Sequence, residues 1–132
     1  MMSLRLHSTP SRRVYELIVG VREEMDYLVW LFDLQHREIA KDGSRAYKEG
    51  RYEDAARLFE KAALVYAEHH PGDPPDVVLL FNTIAALDAA GLYSDVGAEA
   101  AELLKKLGHA TRDENSVALA RRYLDEHARR KR

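Results

Sequence analysis

The chain contains no cysteine, which excludes disulfide staples, thiolate metal sites and cysteine nucleophiles together. Proline is scarce: Pro10 stands alone, and Pro71, Pro74 and Pro75 crowd into one short stretch. Elsewhere the residue that breaks helices is missing. Long hydrophobic runs are missing too, since the longest, Tyr27 to Phe32, falls far short of the roughly 20 residues that cross a bilayer. No cleavable apolar core follows Arg5, Arg12 and Arg13, so a cytoplasmic location without a membrane span is the expectation. Neither charge sign dominates: 20 Lys and Arg against 22 Asp and Glu leave a net charge of −2.

The signatures of catalysis are missing as well. Six histidines are present, but none forms the His-Glu-x-x-His pair of a zinc helix, and neither a Gly-rich phosphate loop nor a Gly-x-Ser-x-Gly elbow occurs. His69 and His70 close a helical stretch, where imidazolium complements the negative end of the helix dipole. No active site, metal or cofactor is expected, and the chain does not read as an enzyme.

What is present is helix. With 132 residues, 46% hydrophobic and 32% charged, the chain suits one domain with a core of its own. Its Ala-, Leu-, Glu- and Arg-rich runs indicate an all-α class. Val14, Ile18, Val21, Met25, Leu28 and Phe32 step by three and four, the spacing of a packed seam, with a bend expected at Gly20. Tyr52 to His70 carries Ala55, Leu58, Phe59 and Ala62 at helical spacing, with Tyr52 and Phe59 expected between paired helices. A loop at 70–75 follows, in which Asp73 is expected to cap a helix starting at Pro74. That helix, running to about Ala90, is apolar nearly all round and belongs in the middle. A fourth helix is expected from about Ser94 to Leu107, with Val96, Ala100, Leu103, Leu104 and Leu107 inward and Gly108 ending it. Thr111 and Glu114 then read as a capping box opening a fifth.

Gly50-x-Tyr52-x-x-Ala55 recurs as Gly91-x-Tyr93-x-x-Val96, with Ala46 and Leu87 before each turn and Gly43 one helical step earlier in the first copy. This pattern resembles the tetratricopeptide (TPR) repeat. The second copy lies 41 residues after the first rather than the family's about 34, and carries Ile84 and Val96 where smaller residues are usual. The resemblance implies antiparallel helix hairpins in a right-handed superhelix of about two degenerate units at 37–107. An N-terminal helical extension at 1–36 and a C-terminal capping helix with a basic tail at 111–132 complete the single domain.

The resemblance also implies an interaction scaffold rather than a catalyst. First helices line a groove in such arrays, which by position nominates Arg37, Lys41, Ser44, Tyr47 and Lys48 from the first unit. Val78, Phe81, Asn82, Ala85 and Asp88 come from the second. Lysine and arginine around Tyr47 and Asn82 would suit an acidic peptide or one ending in a carboxylate. An alternative resemblance is to the MIT adaptor domain, a three-helix bundle with a similar turn; the second Gly-x-Tyr turn favours the first reading. Residues 121–132 carry six basic and two acidic side chains, an alternative nucleic-acid contact that rests on the tail alone. Met25, Leu28, Trp30, Leu31 and Phe32 form two apolar stripes longer than one small unit covers, so either a helix folding back at Gly20 covers them or a homodimer interface does, with apolar area favouring the dimer.

Overall fold

The computed structural model describes residues 24–131, with side chains from residue 34 onward. These residues form five α-helices and no strand: α1 (Glu24–Lys48), α2 (Tyr52–His69), α3 (Val77–Ala90), α4 (Asp95–Thr111) and α5 (Glu114–Arg130). The expected bend at Gly20 lies outside the described residues, and the side chains of Met25, Leu28, Trp30, Leu31 and Phe32 do too.

α1 and α2 fold back on each other, as three successive contacts show: Tyr47 against Tyr52, Gly43 against Phe59, and His36 against Tyr66. Each step backward along α1 is a step forward along α2, so the pair is antiparallel. Phe59 is 3% exposed, packed over Gly43, where any Cβ would lie 2.9 Å from the ring edge. Tyr52 is only half-buried, resting edge-on against Tyr47 with centroids 5.0 Å apart. α4 and α5 make the second antiparallel pair, through Asp95 with His127, Gly97 with Tyr123, and Gly108 with Val117. α3 joins the two, packing on α2 on one side and on α4 and α5 on the other. Its buried Leu79, Ile84, Ala86 and Leu87 place it centrally, as its all-round apolar character requires.

Three of the helix ends share one hydrogen-bond pattern. At Gly50, Arg51 N–H donates to Ala46 O and Gly50 N–H to Tyr47 O; at Gly91, Leu92 N–H donates to Leu87 O and Gly91 N–H to Asp88 O. Asp113 and Arg112 repeat it onto Gly108 O and His109 O. This is the Schellman closure, which needs a left-handed residue: Gly50 and Gly91 have φ of 78° and 72°, and Arg112 reaches 57° without being glycine.

Several boundaries differ from the sequence expectation. α3 is capped by Asp76, whose carboxylate accepts from Val78 and Leu79 N–H, not by Asp73. Pro75 is the reason, since a residue preceding proline is pushed out of helical conformation and Pro74 cannot start the helix. α4 runs through Gly108 to Thr111, and Gly108 is buried against Val117 and Ser116. It serves close approach of α5, not termination. Thr111 ends α4 with its hydroxyl donating to Leu107 O, and the cap of α5 is Asp113, which accepts from Ser116 N–H at 3.1 Å and from its hydroxyl at 2.7 Å. Val96 is 75% exposed rather than inward, and Gly97, Ala101, Leu104 and Gly108 form the buried stripe. The Gly91 turn is longer than the Gly50 turn, because α2 starts at Tyr52 but α4 only at Asp95. The small buried residue near the start of α4 is Gly97, not Val96.

Candidate functional site

Two cavities open between α1 and α3. The first, about 260 Å³, is walled by Ser44, Tyr47 and Lys48 from α1 and by Phe81, Asn82 and Ala85 from α3, with Phe59 of α2 beneath. Helical spacing explains the convergence: 44, 47 and 48 share one face of α1, and 81, 82 and 85 one face of α3. Tyr47 is 38% exposed. Lys48 lines this cavity and makes no ion pair with a carboxylate among the described residues. The floor is aromatic and the rim is cationic, amide and hydroxyl. That rim can donate hydrogen bonds to a carboxylate, and the floor can cover apolar chain.

The second cavity, about 340 Å³, lies between Arg37 and Ala40 of α1 and Val78 and Leu79 of α3, with Asp76 also in its lining. His36, Tyr66 and His70 supply its rings. Tyr66 stacks on His70 at 4.2 Å, and the buried His36 meets Tyr66 edge-on at 5.2 Å. His70 also lies 3.6 Å from Asp73. By sequence His70 is only a helix terminus, and it stands just past α2, four residues after its stacking partner Tyr66; His36 comes from another helix and carries no local signal.

Of the nominated residues, Ser44, Tyr47, Lys48, Phe81, Asn82 and Ala85 share the first cavity, and Arg37 and Val78 line the second. Lys41 lines neither; it pairs with Glu38 at 3.6 Å, both side chains about 70% exposed, an arrangement of little energetic consequence. Asp88 is engaged inside the fold. Its side chain is 7% exposed and is held by the Tyr93 hydroxyl and by Arg122 of α5. Burial, and then the hydrogen bond to Asp88, push the Tyr93 phenol up to about 12.

Four basic residues of the C-terminal segment, Arg122, Arg129, Arg130 and Lys131, have acidic partners. Arg129 and Arg130 both pair with Glu126, His127 lies 2.9 Å and Lys131 3.0 Å from Asp95, and Arg130 sits 4.6 Å over the Tyr93 ring. Hydrogen bonds from Lys131 and His127 hold the Asp95 carboxyl below its ordinary range. Such pairing reduces what this segment offers a phosphate backbone. Among the described residues no cluster of His, Asp and Glu is placed to hold a metal, and no helix is long and apolar enough to cross a membrane. No family model, curated protein or solved structure matches the chain.

Proposed function

We propose that the protein is a non-enzymatic interaction scaffold, TPR-like in its helix pairing, whose α1–α3 groove receives an extended peptide bearing carboxylates. The observation that carries this reading is the convergence of Tyr47, a Lys48 without an ion pair among the described residues, and Asn82 on one cleft floored by Phe59 and Phe81. An ammonium and an amide beside an aromatic floor form a partly desolvated site, where a charge-assisted hydrogen bond is stronger than at open surface. Two further features support the helix-repeat part. The Gly50 and Gly91 turns close with the same hydrogen bonds, and each is followed by a small buried residue, Ala55 and Gly97, at the start of the next helix.

The experiment is a fluorescence-anisotropy titration with a labelled acidic peptide, in free-acid and C-terminally amidated forms. Lys48→Glu should weaken binding at least about tenfold, since it replaces an attraction by a like-charge repulsion. Binding that is unchanged by Lys48→Glu, and equal for acidic and neutralised peptides, would remove the groove from consideration.

A further inference from the structure

The turn that closes α4 carries an arginine where the turns at Gly50 and Gly91 carry glycine, and Arg112 holds a φ of 57° there. A left-handed backbone is unfavourable for any residue with a Cβ, so what distinguishes arginine from glycine at this position is its side chain. That side chain lines a cavity of about 450 Å³ between the end of α4 and the start of α5, larger than either cavity beside α1. Arg121 of α5 and His109 of α4 line it too, and Val117 and Ala118 give it an apolar wall.

The arginines elsewhere are mostly engaged. Arg45, Arg51, Arg57, Arg122, Arg129 and Arg130 pair with carboxylates. Arg112 and Arg121 make no ion pair among the described residues, and both belong to this one cavity. Two carboxylates also stand in its lining. Asp113 is occupied: the Ser116 hydroxyl donates to one oxygen and Ser116 N–H to the other, and these bonds hold its carboxyl below the ordinary range. Glu114 pairs with neither arginine and opposes any anion placed here, most of all a polyanion that would run past it.

We infer that the cavity at the α4–α5 turn binds a single phosphate group, free or esterified to a small apolar body, with Arg112 and Arg121 donating to its oxygens. Two guanidinium forks from separate elements match a dianion with three terminal oxygens, whereas a carboxylate, with one charge and two oxygens, is satisfied by one fork. His109 can add a ring N–H, and Val117 and Ala118 would lie beside the esterified body. The site lies outside the α1–α3 groove and does not depend on the peptide reading.

The test is a chemical-shift titration of the full chain with inorganic phosphate, phenyl phosphate and benzoate, at roughly pH 7.5, where a phosphate monoester with its second pKa near 6 is largely a dianion. Phenyl phosphate should move the amide resonances of residues 108–121, and Arg112→Gly and Arg121→Gln should each weaken it at least about tenfold. Glu114→Gln should tighten it, and Arg45→Gln on α1 should leave it unchanged. Arg112→Gly relieves the left-handed backbone, so a binding loss with an undiminished thermal midpoint is not a folding defect; Arg121→Gln, at an exposed position, carries the test should the midpoint fall. Phenyl phosphate binding more tightly than inorganic phosphate supports an esterified ligand, and equal binding supports phosphate alone. Absence of binding by either phosphate, benzoate binding as tightly as phenyl phosphate, or a loss in Arg45→Gln equal to that in Arg121→Gln each overturns the site.

Discussion

The two helical hairpins, α1 with α2 and α4 with α5, bring their axes together by the same device and finish it differently. In each, a glycine on the first helix receives a ring from the second. Phe59 lies over Gly43, and Tyr123 lies over Gly97, where an added Cβ would fall on the phenol oxygen. Phe59 makes a dry seat. Tyr123 is fully buried, yet its hydroxyl donates to Leu92 O at 2.7 Å and accepts from Ser94 N–H at 3.2 Å, tying α5 to the turn that opens α4. At Gly43 the seat of the ring is apolar, whereas at Gly97 the ring also carries a latch, so equal changes in the two rings should have unequal consequences.

The largest expected effect separates area from polarity. Phe59→Ala should lower unfolding stability by about 3–5 kcal/mol, because it removes a fully buried ring above a glycine that cannot fill the gap. Tyr123→Phe keeps the ring and should cost less, about 1–3 kcal/mol, by leaving Leu92 O and Ser94 N–H without their partner. Urea denaturation of both variants checks the order; a Tyr123→Phe loss equal to that of Phe59→Ala would mean that the latch dominates the second hairpin.

A smaller effect concerns the same turn at high pH. The folded protein holds the Tyr93 proton up to about 12, against 10.0 for an ordinary phenol. A raised folded value means that this contribution is complete below pH 10.0 and is lost as pH rises through about 12. Denaturation midpoints should therefore fall over that window, and Tyr93→Phe should flatten the fall. An unchanged alkaline limb in Tyr93→Phe would assign the loss to other groups.

The smallest expected effect is a gain. Arg112 closes α4 in the left-handed conformation that glycine supplies at Gly50 and Gly91. Arg112→Gly should relieve that cost, offset in part by greater freedom of the unfolded chain, for a net stabilisation under about 1 kcal/mol. A destabilisation in thermal unfolding would show that the arginine side chain contributes more than its backbone conformation costs.

Much of the helical framework was legible in the sequence because apolar spacing is local. The repeat resemblance nominated 44, 47, 48 and 81, 82, 85 by position, and these six residues line one cleft. What was not legible depended on neighbours distant in sequence. Gly108 read as a terminus signal and Gly97 carried no signal of its own, yet both mark where α5 presses in. Asp76 displaced Asp73 as a cap because two consecutive prolines delay helical geometry. Asp88 looked like a groove residue from its position on α3, but Tyr93 and Arg122, which lie later in the chain, draw its carboxylate away.

That carboxylate has a mechanical consequence. A helix packed largely by small and aliphatic side chains meets little resistance to turning about its own axis, and one residue's worth of rotation, about 100°, would swing Asn82 out of the cleft and Thr83 into it. Asp88 acts as a key in a shaft. Gripped from the following turn by Tyr93 and from α5 by Arg122, it fixes the azimuth of α3. The second hairpin, which contributes no side chain to either groove cavity, thus sets which face of α3 the groove presents.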